Sequence, residues 1–284
     1  MSDTRNVVVG VDASHESKQA LAWARAIAGD DDRVVVVHAW EIPLMTSYDM
    51  VVAVDSAEVE RMAKQGLDEL VEKLDDPRIV PVTHRGHAGR GLVDEGKDAD
   101  LIVVGHRGNS RLSLMLGSTA NYVVHHTERP VVVVRGEDPI SPPQTVVVGV
   151  DDFDDPEDSP SVRAVQWAAA LPGVREVRAI HAWFIPPLAV GMFVPTATDL
   201  TAMDEAAQRV ADRVVAAAGP VPDGVTVTAD VARGTAGFAL IEASRDTDLV
   251  VVGRRGRGGF SGLLLGSTSV ETAAHSHVPV AVIR

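Results

Sequence analysis

The sequence predicts two tandem α/β domains, each a doubly wound parallel sheet of five strands, and three observations carry that prediction. The chain is written twice. NVVVGVD (6 to 12) recurs as TVVVGVD (145 to 151), VVVVHAW (34 to 40) as VRAIHAW (177 to 183), DLIVVGHRG (100 to 108) as DLVVVGRRG (248 to 256), and RPVVVVR (129 to 135) as VPVAVIR (278 to 284). A repeat of this length and order marks two homologous units. Within each copy, short valine-rich runs alternate with helical patterns, which is the signature of β-α-β units. The runs are continuously apolar rather than alternating, so both faces of the sheet are expected to be covered.

In the first copy the valine runs place strands near 6 to 11, 33 to 39, 79 to 84, 100 to 105 and 130 to 135. Helices are expected near 16 to 28, 57 to 74, 89 to 97 and 117 to 126. The second is the most sharply patterned, because Val59, Met62, Ala63, Leu67, Leu70, Val71 and Leu74 share one apolar face and Asp55 with Glu58 resembles a capping box. Domain boundaries are expected at 1 to 138 and 145 to 284, joined by a short proline-rich linker at 139 to 144.

Composition narrows the function classes. The 284 residues are 45% hydrophobic and only 4% aromatic, so the cores are aliphatic. With 40 acidic against 26 basic residues the net charge is -14, which repels a nucleic acid backbone or an anionic membrane surface. No cysteine is present, which excludes disulfides, thiolate metal sites and thiol catalysis. The polar start, MSDTRN, and the absence of an uncharged apolar run near 18 residues lead us to expect a cytoplasmic protein with no membrane span.

The stretch that points to chemistry is GHRGNSRLSLMLGST, residues 105 to 119, which leaves the fourth strand at its carboxyl end. Gly105 and Gly108 allow close approach to backbone, Arg107 and Arg111 add positive charge, and Gly117, Ser118 and Thr119 open a helix whose free N–H groups favour an anion. A surface turn followed by an ordinary helix cap accounts for one copy equally well. The second copy, GRRGRGGFSGLLLGST, keeps the glycines, a basic residue between them and the Gly-Ser-Thr while the middle of the loop differs, and that favours a ligand. Neither G-x-x-x-x-G-K-[ST] nor G-x-G-x-x-G after the first strand occurs, so a P-loop NTPase and a dinucleotide domain of the usual kind are not supported.

These residues resemble the universal stress proteins, of the tandem-domain, ATP-binding kind, whose mark is G-x2-G-x9-G-[ST]. The second copy matches it as Gly253, Gly256, Gly266 and Ser267; in the first, eight residues rather than nine lie between Gly108 and Gly117. The resemblance spans nearly all of both copies and implies Rossmann-like domains that bind ATP, with or without Mg2+, and act in the stress response without a catalytic residue. It places His106, Arg107, Gly108, Asn109, Ser110, Arg111, Gly117, Ser118 and Thr119 in one nucleotide site, after Gly105. The other holds Arg254, Arg255, Gly256, Arg257, Gly258, Gly259, Gly266, Ser267 and Thr268, after Gly253. It also places Asp12 and Asp151 by the nucleoside, Gly10 and Gly149 where backbone approaches it, and Ala39 and Ala182 at the adenine edge. A helix N-cap is the competing role for the aspartates. Pairing through the last strand implies a homodimer, and a protein partner is expected whose identity the sequence does not carry. A slow ATPase or phosphotransferase, and a scaffold with one ligand-free domain, are the alternatives; the first lacks a P-loop lysine.

Several histidines are set aside. His84 to His87 spells H-x-G-H, but after the third strand, and the matching ARGT of the second copy has no histidine. His125, His126 and His275 suit a helix C-terminus, and no set of histidines and carboxylates shows metal-ligand spacing in both copies. His38 and His181, which recur at the end of the second strand, are expected to be buried and hydrogen-bonded, with a role in the pocket as the alternative. Trp23, Trp40, Trp167 and Trp183 are expected in the core or at an interface.

Overall fold

The computed structural model describes residues 4–42, 55–107, 116–135, 141–186, 195–254 and 266–284. The chain divides into two compact units, Met1–Val134 and Arg135–Arg284. In the first, β1 (Asn6–Gly10), α1 (His15–Ile27), β2 (Arg33–Trp40), α2 (Ser56–Leu74), β3 (Ile79–Arg85), α3 (Ala88–Glu95), β4 (Leu101–Gly105), α4 (Ser118–His126) and β5 (Val131–Val134) follow in order. The second unit runs β6 (Thr145–Gly149), α5 (Pro160–Ala169), β7 (Glu176–Trp183), α6 (Ala197–Ala217), β8 (Thr226–Arg233), α7 (Ala236–Ala243), β9 (Leu249–Gly253), α8 (Ser267–His275) and β10 (Val280–Ile283). Each expected strand and helix of the first unit is found, with ends within two residues of the expected ones.

Strand order is β3-β2-β1-β4-β5 in the first unit and β8-β7-β6-β9-β10 in the second, and the pairings within each are parallel. The valines explain the covered sheet: Val8, Val9, Val132, Val133, Val147 and Val148 are fully buried, as strands with helices on both faces require. The chain steps outward from β1 to β3 and then returns to the other side of β1 as β4. That reversal leaves a crevice at the carboxyl ends of β1 and β4, and likewise of β6 and β9.

Helix starts follow their caps. Ser14 accepts from the Ser17 amide to begin α1, and Ser159 accepts from Val162 to begin α5. At α2 the expected capping box is only half formed: Asp55 accepts from the Ala57 amide, while Glu58 turns to Arg61 instead of reaching back. A complete box caps α6, through Thr196 and Asp199. The apolar face of α2 is less covered than its pattern suggests, since Leu67 is buried but Met62 is 64% exposed.

A charged cluster closes the base of the first unit. Asp76 accepts from Arg25 Nε at 2.8 Å and from both Nε and Nη2 of Arg78, at 2.9 and 2.8 Å, which ties the end of α1 to the turn before β3. Its side chain is 5% exposed. The Arg78 hydrogen bonds, opposed by burial and reinforced by Arg25, hold the Asp76 carboxyl far below the usual carboxylate range. A depressed carboxyl stabilises the fold above its unfolded value near 4, and that contribution is lost as pH falls through the folded value. Asp76→Asn should therefore destabilise the first unit by about 2 kcal/mol at neutral pH, with the difference from the parent protein shrinking steadily below about pH 4; urea denaturation at both pH values measures it.

Candidate functional site

At the carboxyl end of β1 the chain turns sharply through Ala13, which has a φ of 64°. The turn is held by the Asp12 carboxylate, which accepts from the amide and hydroxyl of Ser14, while the Asp12 amide donates to Ser17 Oγ at 3.2 Å. The N-cap role thus falls to Ser14, and Asp12 stays exposed at the mouth of the crevice. In the second unit Ser159 is the cap, ten-residue spacing notwithstanding the Asp151 amide still donates to a serine, Ser161 Oγ, at 2.8 Å. The acidic stretch DDFDDPEDSP (151 to 160), which takes the place of the short turn of the first copy, is anchored: Arg213 of α6 pairs with Asp152, donates to the Phe153 carbonyl at 2.7 Å and lies over the Phe153 ring.

The recurring histidines brace this corner. His38 Nδ1–H donates to the Val11 carbonyl and His181 Nδ1–H to the Val150 carbonyl, both at 2.9 Å, so each fastens the second strand to the residue before the aspartate. Both are half-buried rather than fully buried, and His181 also faces the cavity of its unit.

Across the crevice, the loop after the fourth strand leaves and returns through one hydrogen bond. The Gly117 amide donates to the His106 carbonyl, and the Gly266 amide to the Arg254 carbonyl, each at 2.9 Å. The intervening residues number one fewer in the first unit, 107–116 against 255–265, yet the anchors coincide. Gly117 and Gly266 are the N-caps of α4 and α8 and bring no side-chain acceptor, so the first-turn amides of these helices face the crevice uncapped. Ser269 Oγ–H donates to the Gly253 carbonyl at 2.7 Å and secures α8 to the end of β9.

Among the described residues a cavity of about 330 Å³ results in the first unit and one of about 510 Å³ in the second. Gly10, Asp12, Ala39, Gly105, Arg107, Gly117, Ser118 and Thr119 all line the first cavity. Gly149, Asp151, Ala182, Gly253, Gly266, Ser267 and Thr268 all line the second. His106 is only 3% exposed and points elsewhere, and Arg254 is also outside the lining. Gly108, Asn109, Ser110, Arg111, Arg255, Gly256, Arg257, Gly258 and Gly259 lie outside the described residues.

The glycines serve a purpose other than positive φ. Gly105 is not among the positive-φ residues; a Cβ there would meet the Glu16 backbone at 2.9 Å, so the start of α1 demands the glycine. At Gly10 and Gly149 the approaching atoms belong to Leu92 and Leu240, at 2.7 and 2.6 Å from an added Cβ. These leucines line the cavities and were absent from the expected set, although AGRGL and AGFAL mark them as repeated positions. Ser17, Ser161, Phe184, Thr235 and Glu271 were missed too. Phe184 and Glu271 carry no repeat signal, because the other copy has Glu41 and Tyr122 in their places.

Of the histidines set aside, His84, His87, His125, His126 and His275 stay outside the lining, while His181 is part of it. His84 packs over Gly91, whose Cβ would sit 2.6 Å from its ring, and His87 tilts against Tyr122. His125 and His126 donate through Nδ1 to the carbonyls of Asn121 and Tyr122.

The sequence profile of the universal stress protein family matches residues 3–135 and again 143–284, one match for each unit. The chain belongs to the universal stress protein family. A universal stress protein of Mycolicibacterium smegmatis is 30% identical over 291 residues, covering 98% of this chain and 96% of the relative. One from Mycobacterium tuberculosis is 35% identical over 198 residues, 68% of this chain and 64% of that protein. Among solved structures, a universal stress protein from Archaeoglobus fulgidus superposes with a TM-score of 0.65 at 20% identity, covering 98% of this chain and 96% of its own, which establishes a shared fold. No described helix of this universal stress protein is long and apolar enough to cross a membrane.

The contact at Gly105 yields a direct test. Gly105→Ala places a methyl group against rigid backbone and should cost roughly 1–3 kcal/mol, visible as a lowered melting temperature with no ligand present.

Proposed function

We propose that this universal stress protein binds ATP in both units and works as a nucleotide-dependent regulator of the cellular stress response. One observation carries the reading. In each unit a helix that opens uncapped with Gly-Ser-Thr faces, across a single cavity, an aspartate at the end of the first strand. The helix start offers amides and a positive dipole end to phosphate, and the carboxylate on the far wall suits nucleoside hydroxyls. Cavities of 330 and 510 Å³ fall in the range of small-molecule sites. The triphosphate enters with or without Mg2+, and Ala39 and Ala182 present backbone at the ends of β2 and β7 for the base edge.

In this reading the protein acts by binding rather than turnover, since the sequence offers no P-loop lysine and no base repeated in both loops. Nucleotide binding at the helix start shifts the population toward a form that a protein partner recognises, through its higher affinity for that form. The setting is the cytoplasm and the unit of action a homodimer.

Calorimetry should find two ATP molecules per chain, and Gly117→Val or Gly266→Val should each remove one while leaving the ligand-free melt in place. Unchanged stoichiometry in both variants would sink the assignment. Light scattering should give twice the chain mass of 30.1 kDa; the single-chain mass at every accessible concentration would exclude the dimer.

A further inference from the structure

The two cavities are built from corresponding elements, and two differences between the copies change what each wall presents. The helix after the loop reads STANYVVHH in the first unit and STSVETAAH in the second, so Tyr122 and Glu271 stand at the same place, one turn beyond the first serine. Both lie over a glycine of the neighbouring helix: a Cβ on Gly89 would meet Tyr122 Cβ at 2.8 Å, and one on Gly237 would meet Glu271 Cδ at 2.5 Å. Tyr122 is engaged there with protein, stacked on His126 at 4.0 Å between ring centroids and tilted against His87 at 5.2 Å. It is not part of the first cavity's lining. Glu271 is part of the second, beside Gly237, Ser267 and Thr268. The other difference follows the shared His-Ala-Trp. Glu41 in the first copy becomes Phe184, which is 54% exposed and lines the second cavity.

We infer that Glu271 is a charge filter that makes the second site prefer nucleoside monophosphates to triphosphates, while the first site, with tyrosine in that place, lacks the filter. The inference rests on the nucleotide reading of both sites. Residues four apart share a helix face about 5.4 Å apart, and the Cα–Cβ bond leans toward the helix start. The Glu271 carboxylate, packed over Gly237, thus shares a cavity wall with Ser267 and Thr268, on whose amides phosphate oxygens would rest. That carboxylate repels every phosphate charge, and a triphosphate brings roughly two more than the nearly two of a monophosphate. At a few ångströms in a solvent-exposed setting, the extra charges of a triphosphate reduce affinity about tenfold. Among the described residues Arg107 lines the first cavity while Arg254 lies outside the lining of the second, so the described wall of the second site is the more acidic by this difference as well as by Glu271. Phe184 offers the second ligand an uncharged planar surface, so affinity there shifts from phosphate to base.

The test uses the full-length chain carrying Gly117→Val, which silences the first site, with AMP and ATP titrated by calorimetry at low ionic strength. The parent second site should bind AMP about tenfold more tightly than ATP. Glu271→Gln, a near-isosteric change at an exposed position, should raise ATP affinity about tenfold more than it raises AMP affinity, with the ligand-free melt unchanged. Added salt should narrow the AMP preference in the parent and not in the variant. An unchanged AMP-to-ATP ratio in Glu271→Gln overturns the filter alone. Weaker ATP binding in the variant also overturns it, as expected of a carboxylate that instead holds a nucleotide-bound cation. If the unaltered chain binds neither nucleotide, the nucleotide reading fails and the filter with it.

Discussion

A parallel strand covered on both faces has used its side chains and its edge groups in the core, and only its carboxyl end remains for a ligand. Val7, Val8 and Val9 of β1 are between 0 and 1% exposed, and the valines of β5 and β6 are equally buried. The polar groups of these units are therefore concentrated where strands become loops. The reversal of strand order beside β1 and β6 holds two such ends apart, and the cavity of each unit is the gap that results. The aspartate turn, the histidine brace and the helix start are all attached to that gap.

Comparison of the two units separates what the cavity needs from what it tolerates. The chain reaches its first helix by a tight turn with Ala13 in the left-handed region in one unit, and by a ten-residue acidic excursion pinned by Arg213 in the other. In both, the amide of the aspartate donates to a serine and the following histidine holds the preceding carbonyl. The loop after the fourth strand varies by one residue between anchors joined by the same hydrogen bond. Length differences are absorbed between fixed points, and a loop-length change of this size has little entropic cost.

Several residues that look like ligand contacts in a linear reading have structural employment as well. Gly105 is required by the backbone of α1, and Gly10 and Gly149 accommodate the side-chain ends of Leu92 and Leu240. Small residues at these places let helices close onto the strand ends, which narrows the cavities. His38 and His181 likewise shape the site from behind, by fixing the carbonyl just ahead of the aspartate.

The repeat, the valine runs and the Gly-Ser-Thr at a helix start were sufficient to determine the architecture and the strand-end and helix-start parts of the described cavity walls. These features are local or periodic, and physics acts on them locally: burial on both faces selects continuous valine, and a helix start selects small residues. What only the tertiary structure decided is which residues from distant segments meet. Leu92 and Leu240 reach the glycines of β1 and β6 across some eighty residues or more of chain, and no spacing rule connects them. Glu58 leaves its capping box for Arg61, because on a surface helix the nearer cation competes with the backbone amide. Glu271 and Phe184 broke the repeat and so carried no signal in the sequence; packing of α8 against α7 and the opening beyond β7 place them in the second cavity wall. Repetition reveals what two sites share, and only packing reveals where they differ.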